Sequence, residues 1–277
     1  MRELILSILF ILCLSFQVSA LGPMSLMSGM GTSGTDYTAD ANCMGAWFMN
    51  GASGGDGSED EIDRSGEGQT LSVSASDTIP DGASVPSGYS GVSRDLEYDD
   101  LDYLGRAESD TNGFDISGAD QDMTLCAWFN LEAVSAGSGT IVNKVGSSNV
   151  QYDLYWDANE KAKFFISADG TGVTTSGVST TTLSAGTWYH LCGVYDDDEG
   201  SSNNVQIWVN GTMENASAHT TGIFNGNADF RIGVRADTAT RTDGQVDEVI
   251  IFNRALSSVE INEIMDHGID GAKGGND

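Results

Sequence analysis

From Cys43 to Phe252 the chain is a succession of short runs in which oily and polar residues alternate, each closed by Gly, Asn, Asp or Ser. A period of two places successive side chains on opposite faces, the pattern of a strand with one buried side. Repeated this often, with turn residues between the runs, it excludes a helical bundle and points to layered antiparallel sheets. The spacing predicts strands at Met44–Met49, Met123–Leu131, Thr140–Lys144, Gln151–Asp157, Ala162–Ala168, Trp188–Tyr195, Val205–Val209, Asp229–Val234 and Val246–Asn253. Asn210-Gly211 follows one of these runs and is the dipeptide best suited to a two-residue hairpin turn. One helix is expected at Ser257–His267. Ser257 and Glu260 form its capping box, Val259, Ile261, Ile264 and Met265 give it an apolar side, and Gly268 ends it.

The N-terminus has a different grammar. Arg2 supplies a positive start, and the apolar run Leu4–Phe16 is shorter than the roughly 20 residues a membrane-spanning helix requires. Val18-Ser19-Ala20 offers the small residues of a cleavage site, so residues 1–20 are read as a secretory signal peptide, with an uncleaved anchor as the rival. Residues 21–42, rich in Gly, Ser, Thr and Met, are expected as a flexible leader, 43–267 as the sandwich, and 268–277 as a loose tail. The mature chain is then secreted, with no membrane insertion. Cys13 leaves with the signal, so Cys43, Cys126 and Cys192 remain, and in an oxidising compartment three cysteines suggest one bridge and one leftover thiol.

Lys+Arg number 12 against 41 Asp+Glu, a net charge of -29. Such a field repels phosphate backbones, so nucleic acid and anionic membrane surfaces are poor partners. It suits a salty or calcium-rich exterior, or serves solubility alone. A hydrophobic content of 39% is too high for a disordered acidic chain.

Several stretches then fall into a recognisable order: CMGAWFMN, DRSGEGQTL, Asp120–Leu131 (DQDMTLCAWFNL), Thr187–Tyr195 (TWYHLCGVY), Val205–Gly211 (VQIWVNG) and Gly244–Ile264 (GQVDEVIIFNRALSSVEINEI). Together, over residues 43–267, they resemble the laminin-G-like, concanavalin A-like lectin/glucanase superfamily in its bacterial, pentraxin-related branch. The fold class this implies is all-β, a two-sheet antiparallel jelly-roll sandwich with a short C-terminal helix. That sandwich hosts lectins, hydrolases, adhesion modules and structural proteins, so the resemblance does not fix a role.

In pentraxins a disulfide joins the strands that match MTLC and YHLC, which implies a Cys126–Cys192 bridge here. Alternation agrees with it. Met123, Leu125, Ala127 and Phe129 form one side of their strand, and Thr124, Cys126, Trp128 and Asn130 the other. Leu191 and Tyr195 take the oily side of the later strand, opposite Trp188, His190, Cys192 and Val194. Two free buried thiols are the alternative. Cys43 is read as a buried strand residue, with bridging to a second copy as the alternative.

The resemblance also implies a structural Ca²⁺ held by Asp63 and Asp247, with backbone oxygens completing the shell. Asp247 is expected on the side of Val249 and Ile251, where an acid needs a partner or a cation; a carboxylate capping backbone amides is the alternative. The acidic stretches Asp56–Asp63 and Asp196–Glu199 read as solvated loops. Glu61-Ile62-Asp63 begins the two-carboxylate signature of laminarinase-type enzymes, but Ser65 and Gly66 stand where its second Glu belongs. The histidines are scattered and no serine-nucleophile motif is present, so no catalysis is expected. For sugars, Trp128, Trp188 and His190 share the face of the implied bridge with Asn130, a possible aromatic platform with hydrogen-bonding neighbours; packing of the tryptophans against loops or the helix is the rival. The resulting expectation is a non-catalytic module that binds extracellular carbohydrate or a surface partner. The alternatives are a structural or adhesive subunit of an envelope, filament or phage surface, and, further off, a divergent glycosidase.

Overall fold

A computed structural model of the chain describes residues 34–51, 60–74, 79–107, 114, 116, 121–133, 137–200, 202–236 and 240–273. The expected signal peptide and the leader up to residue 33 lie outside these residues. None of the described helices is long and apolar enough to cross a membrane.

The strands run β1 (Cys43–Trp47), β2 (Ser72–Val73), β3 (Arg94–Leu96), β4 (Leu104–Arg106) and β5 (Met123–Leu131). They continue as β6 (Gly139–Gly146), β7 (Asn149–Trp156), β8 (Lys161–Ile166), β9 (Thr175–Thr182) and β10 (Trp188–Tyr195). The last four are β11 (Val205–Val209), β12 (Thr212–Ser217), β13 (Phe230–Ile232) and β14 (Gly244–Phe252), before helix α1 (Ser258–His267). One sheet has the order β1-β14-β5-β10-β11-β12, with β3 also on β14; the other is β2-β4-β13-β6-β7-β8-β9. Their pairings are antiparallel, as the jelly-roll expectation requires. The strands that alternation missed have physical reasons. β2, β3 and β4 are too short to show a period, and β9 (TSGVSTTT) and β12 (TMENAS) are edge strands with little apolar content. Asn210 and Gly211 adopt φ 48° and 73°, the left-handed pair that a tight hairpin between β11 and β12 requires.

The two sheets meet in one core. Met123, Leu125, Ala127 and Phe129 of β5 and Leu191 and Tyr195 of β10 share it with Tyr152, Leu154, Phe164 and Ile166 from the other sheet. The first sheet is also covered outside. Cys126, Cys192, Val194, Ile250 and Phe252 form a second cluster with Ile261 and Ile264 of α1, Tyr37 and Ile269. Burial on both faces explains why all of β14 is buried. Ser257 caps α1 in a reciprocal box with Glu260, and Gly268, at φ 83°, ends it. Val259, expected on the apolar side, is 72% exposed. It precedes Ile261 by two residues, a rotation of about 200° that carries it to the solvent side.

Both ends of the sandwich depart from the sequence reading. Residues 34–42 of the leader are part of the fold: Gly34 N donates to Gly271 O (2.9 Å) and Tyr37 N to Ile269 O (2.9 Å). The stretch read as a loose tail is built in as far as Lys273, whose N–H donates to His267 O (2.8 Å). Ile269 is the anchor, fully buried beneath this strap.

Candidate functional site

The outer face of the first sheet is organised around the pair Cys126 and Cys192, directly opposite in the β5–β10 register and joined by a disulfide with Cα atoms 4.2 Å apart. Cys43 is a free, buried thiol, and burial pushes its pKa up to about 12. One pair along, His190 faces Trp128; the next pair is Trp188 and Asn130. The four residues proposed as a platform are therefore brought together, but they do not share one role.

Trp128 and Trp188 are half-buried and line a recess of about 280 Å³. Trp188 Nε1 donates to Ser84 Oγ (3.0 Å), and the Trp128 ring packs edge-on against Tyr89 at 5.6 Å. His190 lies behind them, 1% exposed, its ring tilted against that of Trp128 with centroids 5.2 Å apart and both ring nitrogens 3.9 Å from Cys192 Sγ. Burial pushes its pKa down to about 3, so it is neutral and supports the indole from beneath. Asn130 is also buried, with Oδ1 lacking a hydrogen-bond partner among the described residues.

The rest of the recess comes from elements far apart in sequence. Asn210 arrives on the β11–β12 turn, Met265 and Asp266 on the last turn of α1, and Lys273 on the strap after it. Asn210 is fixed by accepting the His190 N–H at Oδ1 (2.9 Å), and the Lys273 ammonium lies over the Tyr89 ring at 5.3 Å. The recess thus combines two aromatic surfaces with an amide, a carboxylate and an ammonium. Alternation finds the indoles because they sit on regular strands. It is silent on the polar partners, which tertiary packing delivers.

The two expected calcium ligands behave differently. Asp63 Oδ1 accepts from Ala46 N (3.0 Å) and Ser65 N (2.9 Å), and Oδ2 from Ser65 Oγ (2.8 Å) and Gln69 N (2.8 Å). Four donors converge on that carboxylate, which is the geometry of a turn cap and does not fit a metal ligand. Asp247 is not on the side of Val249 and Ile251. It pairs with Trp128 while Ile250 pairs with Cys126, so Glu248 and Val249 together oppose Ala127 in a β-bulge, with Glu248 at φ 44°. The extra residue reverses the alternation and turns Asp247 to the outer face. It is buried there, and desolvation, then Glu248 and Glu61, push its pKa well up. The Glu61 carboxylate is buried on Arg94 Nε and Gly51 N (2.9 Å), which leaves it structural.

The described residues hold two groups of three ligand-type side chains within 4.8 Å of one another. One is His190 with Cys126 and Cys192, whose sulfurs are already joined in the disulfide; the other is Asp95, Glu97 and Glu132.

The sequence pattern described as the concanavalin A-like lectin/glucanases superfamily, of laminin-G type, matches residues 106–262, more than half of the chain. The chain belongs to that superfamily. Its members' fold recurs in solved structures of low identity. Domain 4 of AbnA, a GH43 extracellular arabinanase from Geobacillus stearothermophilus solved with arabinotriose, is similar at 16% identity and TM-score 0.58, over 81% of this chain and 98% of that one. The Trypanosoma rangeli sialidase is similar at 16% identity and TM-score 0.55, over 82% of this chain and 32% of the sialidase. The receptor binding domain of botulinum neurotoxin D gives 12% identity and TM-score 0.59, over 81% of this chain and 52% of that one. The superfamily chain thus spans about a third of the sialidase and half of the toxin domain. No curated protein matches it by sequence. The fold is common to enzymes and binding domains, so it does not itself assign an activity.

Proposed function

We propose that the protein is a secreted, non-catalytic binding module that takes extracellular carbohydrate in the recess between Trp128 and Trp188. The observation that carries this reading is the pair of half-buried indoles lining one recess with Asn210, Asp266 and Lys273. A sugar ring packs its apolar face on an indole while its hydroxyls take up directional partners, and the recess supplies both kinds of contact. The low-identity likeness to an arabinanase domain solved with arabinotriose and to a toxin receptor-binding domain supports a sugar or surface partner in general. The disulfide suits an oxidising compartment, in keeping with the signal sequence read at 1–20. Glycosidic cleavage is disfavoured because Glu61 is committed to Arg94 and Asp63 to backbone donors.

Calcium enters this reading through Asp247 alone. The adjoining Asp247 and Glu248 are hard oxygen ligands buried together, and a divalent cation would relieve their repulsion. The function is tested by titrating neutral oligosaccharides into the wild type and Trp188→Ala. Saturable binding that weakens at least tenfold in the variant is expected; equal binding by the two proteins would refute the site.

A further inference from the structure

A second groove on the outer face lies at the start of α1, whereas the recess described above lies at its last turn. It holds about 490 Å³ between the β10–β11 loop, the β11–β12 hairpin and the start of α1. We propose that it is a second saccharide site, and that its ligand carries protonated amines, as in an oligosaccharide of glucosamine. This goes beyond the function proposed above, because it places a different ligand class at a different site.

The groove is built around Trp208. That residue sits opposite Cys192 in the β10–β11 register, so its strand is held beside the disulfide. Its indole N–H donates to Gln206 Oε1 (2.8 Å), and Gln206 Nε2 donates in turn to Asn203 O (3.1 Å). These two bonds fix the ring plane in advance. Trp208 is half-buried, and its partner across the hairpin, Met213, is 43% exposed beside it. An oriented indole flanked by a thioether is an apolar platform for a pyranose face, and the volume admits more than one sugar ring.

The charge of the lining selects the ligand. Asp196 and Glu199 line the groove, and Asp197 and Asp198 stand between them in sequence. No lysine or arginine is among the described residues that line it. A carboxylated or sulfated sugar would meet only like charge, on a chain that already carries -29. An ammonium gains from both carboxylates and from the face of an indole. The exposed Asn203 leaves its side-chain amide for hydroxyls, a feature that a simple polyamine would not use.

The test is calorimetric titration of the full chain in mildly acidic buffer with four probes: glucosamine tetramer, its N-acetylated counterpart, cellotetraose and tetralysine. The glucosamine tetramer is expected to bind at least tenfold more tightly than each of the others. That margin should shrink severalfold in Glu199→Gln, an exposed loop change that leaves the core untouched. Trp208→Ala should lose binding at least tenfold, and Trp188→Ala should keep it. Equal affinity for the acetylated or neutral tetramer, tighter binding of tetralysine, absence of binding, or an unaltered preference in Glu199→Gln would each overturn the proposal. Loss of the glucosamine preference while Trp188-dependent binding persists would remove this site and leave the first one standing.

Discussion

A β-carbon placed on Gly193 would lie 2.1 Å from Cγ of Phe164. Gly193 is on β10 in one sheet and Phe164 on β8 in the other, so the sandwich closes at this point by setting an aromatic ring directly on a backbone. Interiors packed to crystal-like density have no room to move such a ring aside. Gly193→Ala is expected to lower stability by about 1–3 kcal/mol, the usual cost of overpacking. Gly172→Ala, where a β-carbon would meet nothing within 4 Å, should be neutral. Urea denaturation of both variants checks this, and equal midpoints would contradict it.

The Cys126–Cys192 bridge closes a loop of 66 residues. In the chain-entropy account a loop of that length contributes about 4 kcal/mol by restricting the unfolded chain. Replacing both cysteines by alanine should cost about that much in denaturant unfolding, and reduction of the unfolded wild type should raise its mass by about two daltons. A doubly substituted protein as stable as the wild type would contradict the assignment of the bridge as the staple of this face.

Asp95, Glu97 and Glu132 bring carboxylate oxygens within 4.8 Å of one another at the end of the first sheet. Desolvation, then Glu132 and Glu97, push the Asp95 pKa up to about 7. A raised carboxylate pKa means that the folded protein holds a proton which the unfolded chain releases near pH 4. Stability from this group is therefore present at low pH and is lost as pH rises through about 7. Asp95→Asn should melt higher than the wild type at pH 8 and nearly equally at pH 4. A variant that melts lower at pH 8 would show that the ionised carboxylate is a needed partner.

Asp247 provides the calcium prediction. Burial beside Glu248 and Glu61 makes its charge costly, and a cation would offset that cost. Thermal melts of the wild type should move upward with Ca²⁺ over chelator, and Asp247→Asn should abolish the shift. Asp63→Asn should keep the shift while melting lower overall, because it weakens bonds to Ala46, Ser65 and Gln69. A wild-type midpoint indifferent to calcium and chelator would remove the cation from the account.

The parts of this fold that alternation made legible are those where one strand face is dry and the other is not. β5 and β10 are such strands, and their register put Cys126 against Cys192 as the family resemblance implied. Alternation misplaced Asp247 because Val-Asp-Glu-Val-Ile-Ile contains no glycine to announce the bulge at Glu248. The recess between Trp128 and Trp188 was half legible. Its indoles lie on strands, while Asn210, Asp266 and Lys273 reach it from a turn, a helix end and a stretch that reads as tail. The Trp208 groove was invisible for the same reason, since its acidic rim looks in sequence like any solvated turn.

The central claim is that an indole-lined recess on the helix-covered sheet grips carbohydrate. A glycan array probed with the full chain and with Trp188→Ala tests it most directly. The account predicts that the wild type recognises a defined set of uncharged oligosaccharides and that the variant loses those signals. An array on which the wild type binds no glycan, or on which the two proteins give the same pattern, would contradict it.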